Sequence, residues 1–230
     1  MSDTLGKKMA KMIPHCRRLG SAAAPPAWYN DAEAAFANAW TLMASMAPSS
    51  ALRTPTVASV DLHGRPQQRT MVLRGVEFNG STPTLRFHSD ARSPKMEELR
   101  RAAAVSVLAY DKVEKLQLRM NGTASIRSLA AGDDTAVAAW QKSASFSRKC
   151  YFVADAPSSA SSPDRMDDLQ REMQAVATKD AGASESPHFA AIEIEIESCD
   201  LLYLAHGGNR RFLARYGDAA APARVEWLVP

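Results

Sequence analysis

The sequence predicts a mainly β, α+β fold, a small antiparallel barrel with flanking helices. Three observations lead there. Ala190, Ile192, Ile194 and Ile196 alternate with Ala191, Glu193, Glu195 and Glu197, the period of a half-buried strand. Turn signals recur at short intervals, at Leu62-His-Gly-Arg65, Asn79-Gly80 and His206-Gly-Gly-Asn209. Helical spacing is confined to a few separate stretches, without the regular strand–helix alternation of a parallel sheet.

The elements follow in order. After Pro25-Pro26, Asn30 and Glu33 suit a capping pair. Phe36, Trp40 and Met43 then form one helical face ending before Pro48, either packed in the core or covering a ligand. From Pro55 the period becomes two. Gly64 turns the first strand, the return strand carries Arg69 to Arg74, and Asn79-Gly80 leads into a strand over Thr84 to Ser89. Ser93 suits an N-cap and Pro94 a first helical position, giving a short helix to about Arg101. Ala103 to Tyr110 reads as an apolar strand. Asp111-Lys112 turns it into a longer one, in which Gly122 permits a bulge. Ala131 to Lys142 reads as a helix. Ala156 to Pro163 is a Ser/Ala/Pro linker, and Asp164 to Lys179 a helix with Met166, Leu169, Met173 and Val176 along one face. Beyond the alternating strand, Leu201 to Leu204 forms another, and Arg210–Tyr216 pairs with Arg224–Pro230 as a terminal hairpin. The expected organisation is a flexible tail over 1–25 and one domain over 26–230, with a linker-and-helix insertion at 156–181.

Composition excludes several classes. Apolar residues make up 46% and charged ones 23%, ordinary for a folded chain, and no apolar run is long enough to span a membrane. A net charge of +3, with the arginines dispersed among apolar strands, does not suggest nucleic acid. Cys16, Cys150 and Cys199 are odd in number and far apart, which suggests free thiols. The basic N-terminus lacks the apolar stretch of a secretion signal, so a cytoplasmic location is expected. The five histidines show no metal spacing, and no Ser/His/Asp set is visible.

Three short pieces carry the chemistry. In Arg69-Thr-Met-Val-Leu-Arg74 a flat strand would put Arg69 and Arg74 on opposite faces, so a bulge or strand end is needed to aim both at one ligand. Phe87-His-Ser-Asp-Ala-Arg-Ser-Pro-Lys95 ends a strand and starts a helix. Free N–H groups beside Lys95 suit an anion, although Glu97 and Glu98 also fit an ordinary helix start facing water. Gln117, between apparently buried Leu116 and Leu118, offers donors and an acceptor to the edge of a uracil-like ring, or is a half-exposed strand residue. His88 either touches a ligand or is simply packed.

Together, Arg69–Arg74, the Phe-His-Ser…Lys95 segment and Gln117 five residues before Gly122 resemble the flavin mononucleotide (FMN) signature of the pyridoxamine 5'-phosphate oxidase family. The resemblance extends over residues 50–150 and returns near the C-terminus. It implies an FMN-binding split β-barrel, Greek-key-like, in a homodimer with FMN at the interface. The implied cofactor contacts are Arg69, Thr70, Met71, Val72, Leu73, Arg74, His88, Ser89, Lys95, Gln117 and Arg215. Arg69 and Lys95 would neutralise the phosphate, Ser89 would add a donor, and Gln117 would take the pyrimidine edge. Arg74 and Arg211 are the implied substrate contacts, and no catalytic residue is assigned. Ser147-Arg148 resembles a position that approaches the flavin or the partner subunit; a surface loop is the other reading.

The pattern departs from that of the oxidase itself. Leu213 stands where the oxidase has a histidine, Arg74 replaces a lysine, and Pro94 replaces a basic residue. The expected function is an FMN-dependent oxidoreductase acting on a small phosphorylated or heteroaromatic substrate. The alternative is an FMN store or sensor without turnover. Haem on the same barrel would need an axial ligand, and no histidine is placed to supply one.

Overall fold

A computed structural model describes residues 24–45, 47–178, 186–217 and 223–230. Among them, nine strands form one antiparallel sheet: β1 (Thr56–Val60), β2 (Pro66–Thr70), β3 (Leu73–Asn79), β4 (Thr82–Asp90), β5 (Ala104–Asp111), β6 (Leu116–Ser128), β7 (Phe189–Tyr203), β8 (Arg210–Arg215) and β9 (Arg224–Leu228). Five helices flank it: α1 (Ala32–Ala44), α2 (Pro94–Arg101), α3 (Asp134–Lys142), α4 (Ser145–Arg148) and α5 (Pro163–Thr178). No helix among the described residues is long and apolar enough to cross a membrane.

The strands follow the order β2-β1-β5-β6-β7-β4-β3, with β8 and β9 continuing from β7 as a branch. β2 and β3 stand at the two ends of this path, yet only Met71 and Val72 separate them in the chain. The sheet therefore curls until its ends meet at a two-residue seam without hydrogen-bonding across it. That gap is the split of the predicted barrel. Alternation supplies the core: the inward residues of β5, β6 and β7, among them Val107, Leu118, Met120, Ile192, Ile194 and Ile196, are buried against Phe36, Trp40 and Met43 of α1. A second cluster gathers Trp140, Phe189 and Leu129 beneath α3.

Several boundaries differ from the sequence reading. The α1 cap is Asp31, whose Oδ1 accepts the Ala34 N–H at 3.0 Å, while Asn30 Oδ1 accepts from Arg210 Nε at 3.2 Å. α3 starts at Asp134 because the Asp133 carboxylate caps Thr135 and Ala136. β7 is one strand of 15 residues, since Ser198–Asp200 stay in the ladder with Cys199 buried between Met120 and Ala214. The apolar face of α5 is half-covered, with Met166 56% exposed. Residues 1–23, which include Cys16 and nearly all of the expected tail, and the end of the insertion at 179–181 lie outside the described residues.

The β6–β7 register shifts between Asn121 and Gly122, as the glycine there suggested. A Cβ on Gly122 would meet the Glu195 carbonyl oxygen at 2.1 Å, so only glycine lets the bulge close. Gly122→Ala should cost about 2–3 kcal/mol, read as a lower urea midpoint; an unchanged midpoint would mean that the bulge relaxes freely.

Candidate functional site

The seam opens into a recess of about 610 Å³ between the end of β2, the end of β4 and the start of α2. Arg69, Thr70, Met71, Val72, Arg74, His88, Ser89 and Lys95 all line it. Sequence reasoning required a strand end or bulge to unite the two arginines, and both are present. β2 stops at Thr70, and the β3–β4 register shifts between Leu73 and Gly75, leaving Arg74 as the bulged residue. Leu73 is buried and lines a neighbouring recess of about 320 Å³. Arg74 and His88 form the wall between the two, with Arg53, Lys142, Ser143, Phe146 and Ser147 on the far side.

Arg69 is braced from below. Its guanidinium donates to Glu98 Oε2 at 2.7 Å and Ser59 Oγ at 2.6 Å, and Ser59 Oγ donates to the same carboxylate oxygen at 2.5 Å. Glu98, which the sequence also allowed to face water, is buried at 8% exposure. Glu97 is the exposed member of the pair and meets Arg100.

Lys95 is different. Its Nζ donates to Ser89 Oγ at 3.2 Å and Ser93 Oγ at 3.0 Å, and it forms no ion pair among the described residues. Ser93 holds the cap position of α2 but does not cap with its side chain, donating instead to the Asp90 carbonyl at 2.8 Å. The positive end of the helix dipole is thus left without a side-chain cap, although Pro94 has no N–H and those of Ser93 and Met96 already donate to the Asp90 and Ser93 carbonyls at 3.1 and 2.9 Å. Burial, and then the nearby Arg69, pull the Lys95 ammonium below its usual range, with Asp90 and Glu98 opposing. An arriving anion would reverse that cost.

His88 stacks edge-on against Phe189 at 4.9 Å between centroids, with Nδ1 3.4 Å from Ser143 Oγ. Burial, then Arg74 and Arg86, push its pKa down to about 4, so the ring is neutral at pH 7. In the second recess, Arg86 is matched by Glu77 and Glu193, whereas Arg53, Arg74 and Lys142 form no ion pairs among the described residues. Arg53 Nε is buried without an acceptor. Ser147 lines this recess, while Arg148 is buried over the Trp140 ring.

Gln117, Arg211 and Arg215 do not reach either recess. Gln117 and Arg211 share one cross-strand row with Tyr110, Leu202 and Leu228, and Arg215 lies in a parallel row with Ser106, Asn121, Ser198 and Arg224. Between these rows runs Leu108-Arg119-Asp200-Leu213-Glu226. All three rows occupy the outer face of the sheet, where Leu108 and Tyr110 are more than two-fifths exposed. Arg211 is held by Asp200 at 2.7 Å, and Arg215 lies 3.4 Å from Glu226.

Sequence reasoning missed Asp90, Cys150, Tyr151, Pro157 and Ser158, which complete the first recess. The last four come from distant parts of the chain and had no local signal. Burial raises both the Cys150 thiol and the Tyr151 phenol, so neither ionises near neutrality.

A split antiparallel sheet with a basic recess at its seam is a fold like that of the oxidase-type FMN-binding barrels. Residues 28–128 match the family model described as pyridoxamine 5'-phosphate oxidase, FMN-binding domain, and over that segment the chain is similar to the pyridoxamine 5'-phosphate oxidase-related FMN-binding proteins. It is 28% identical over 152 residues to pyridoxine/pyridoxamine 5'-phosphate oxidase 2 of Arabidopsis thaliana, covering 64% of this chain and 72% of that protein. Its fold is similar to an FMN-binding protein of Nostoc punctiforme related to the oxidase (TM-score 0.67, 22% identity, 90% of this chain and all of that one). It is also similar to PhzG of Burkholderia lata, solved with tetrahydrophenazine-1-carboxylic acid (TM-score 0.71, 15% identity, 92% of this chain and all of that one).

The neutral His88 has a consequence for stability. Its folded pKa is depressed from 6.5 to about 4, so the unfolded chain binds the proton more readily, and the stability present above pH 6.5 is lost as pH falls towards 4. Urea unfolding should show a loss of about 2 kcal/mol across that window from this group. In His88→Gln the slope should shrink accordingly; an identical slope would mean that another group sets it.

Proposed function

We propose that the protein binds FMN with its phosphate at Lys95 and uses it in oxidoreduction of a small anionic substrate, as a cytoplasmic homodimer. The observation that carries the reading is Lys95, a partly buried ammonium without a carboxylate partner, set between two hydroxyls at a helix start. Ser89 and Ser93 would add donors to the phosphate oxygens, and Arg69, held by Glu98, would keep a fixed positive field beneath them. FMN supplies two-electron chemistry at its ring when bound; the protein's part is to bind, orient and shield. The recess volume is in the range of cofactor pockets.

The unmatched Arg53, Arg74 and Lys142 favour a substrate carrying carboxylate or phosphate in the second recess. Gln117, Arg211 and Arg215 fit the dimer reading. They share an exposed face with Leu108 and Tyr110, from which they would serve the seam of a second copy and not their own. The free Cys150 and buried Cys199 accord with a reducing compartment. Leu213, on that same face, offers no imidazole, which favours a substrate other than pyridoxamine 5'-phosphate and keeps FMN binding without turnover as the second reading.

The absorbance spectrum of the purified protein tests the cofactor, and bleaching of the flavin by added substrate separates enzyme from store. A protein that is colourless and takes up no added FMN would refute the assignment. Lys95→Gln should weaken FMN binding roughly 10- to 100-fold. Because the Lys95 pKa is lowered, affinity in the wild type should fall as pH rises, beginning below 10.5. Fluorescence titration reads both effects, and a flat pH response would remove Lys95 from the phosphate site. Sedimentation should give a dimer in which Leu108→Arg produces monomers with reduced FMN affinity; a monomeric wild type that binds FMN fully would overturn the interface.

A further inference from the structure

Asp90 is out of place by charge. Its carboxylate is 7% exposed and lines the recess that holds Lys95, where it would face a bound anion. A buried carboxylate beside an anion site is tolerable only if its charge is matched. Arg92 matches it, with Nε donating to Oδ1 at 3.0 Å, Nη2 to Oδ2 at 2.7 Å, and its own backbone N–H to Oδ1 at 2.8 Å.

The same guanidinium has a second set of partners. Nη1 donates to the Ala154 carbonyl at 2.9 Å and Nη2 to the Val153 carbonyl at 3.1 Å. These carbonyls begin the strap that leads to α5. Three residues on, the Ser159 N–H closes a turn onto the Ala156 carbonyl at 3.2 Å, with Pro157 and Ser158 at its corner and both lining the recess. Ser158 takes φ 72°, a left-handed conformation that a serine adopts at a cost. Something must hold the turn there. Arg92 grips the approach to the turn, and the next residue, Asp155, ties that approach to Arg165 of α5, beyond the turn, at 2.9 Å.

We propose that Arg92 is a positioning residue of the anion site, which neutralises Asp90 towards the ligand phosphate and fixes the Pro157–Ser158 turn as the rim of the recess. The inference rests on FMN being the ligand. It predicts that the residue matters for the phosphate and much less for the ring.

The test compares FMN with riboflavin, which has the ring without the phosphate, in fluorescence titrations of four proteins. Arg92→Gln should weaken FMN by about tenfold or more while changing riboflavin little. Adding Asp90→Asn to it should recover most of that loss, because the uncompensated charge is gone. Arg92→Lys keeps the charge but loses the fork, so FMN affinity should fall by only a few-fold, far less than in Arg92→Gln, seen as correspondingly faster FMN release in stopped flow. Equal losses for FMN and riboflavin without recovery in the double variant would reduce Arg92 to a structural role and overturn the inference. Should Arg92→Gln fail to fold, Asp90→Asn alone decides: FMN affinity at or above wild type supports the proposal, and a tenfold loss refutes it. A wild type that binds no FMN overturns the cofactor reading, whereas FMN binding indifferent to all these substitutions overturns only the role of Arg92.

Discussion

Strand geometry sets the condition that the rest of the molecule meets: residues five apart on a flat strand cannot point the same way, and here two arginines five apart must. The chain satisfies it by interrupting the strand. Thr70 ends one edge of the sheet, Leu73 begins the other, and Arg74 bulges out of register. The same interruption makes the barrel split, because the two edges it joins cannot pair while the chain is crossing between them. The recess is therefore a by-product of how the sheet closes, which places it beside the two end strands of the path, β2 and β3.

Charge then divides the basic side chains into two populations. Arg69, Arg86, Arg92 and Arg211 are each held by a carboxylate at 2.7–2.8 Å and act as fixed scaffolding. Lys95, Arg74, Arg53 and Lys142 have no such partner among the described residues, and they gather around the two adjoining recesses. Arg74 and Lys142 are exposed, whereas Lys95 and Arg53 are partly buried, and for those two the desolvation cost is recovered when an anion arrives.

Much of this was legible in the chain because it depends on local rules. Period-two alternation located β7, Asn79-Gly80 and Gly64 located turns, Gly122 located the bulge, and the Ser-Pro-Lys order located the start of α2. The conflict between Arg69 and Arg74 even demanded the broken strand. What escaped was set by distance. Glu98 turns inward only because Arg69 and Ser59 wait there on other strands. Tyr151 and Pro157 reach the recess through contacts that no neighbouring residue announces. Asp31 displaced Asn30 as the cap because Arg210, 180 positions away, engages the asparagine. Gln117, Arg211 and Arg215 were correctly read as strand residues, yet their shared outer face emerges only from the register.

The 15-residue β7 is bonded to β6, β4 and β8, so the middle strand of the sheet is also among the last to leave the ribosome. Until it inserts, β4 and β6 have long unpaired edges, and neither half of the sheet can bury its inner face. Closing contacts such as Ser89 with Ala190 and Leu116 with Tyr203 span about half the chain or bring in its final quarter. Folding of this kind is slow and exposes sticky intermediates, because loop closure must precede the contacts that reward it. A fragment ending at residue 128 would hold Arg69, Ser89 and Lys95 and still lack β7, the strand on which β4 is paired. The recess at the seam therefore takes shape only once β7 has been made, well after every residue of β2, β4 and α2 that lines it.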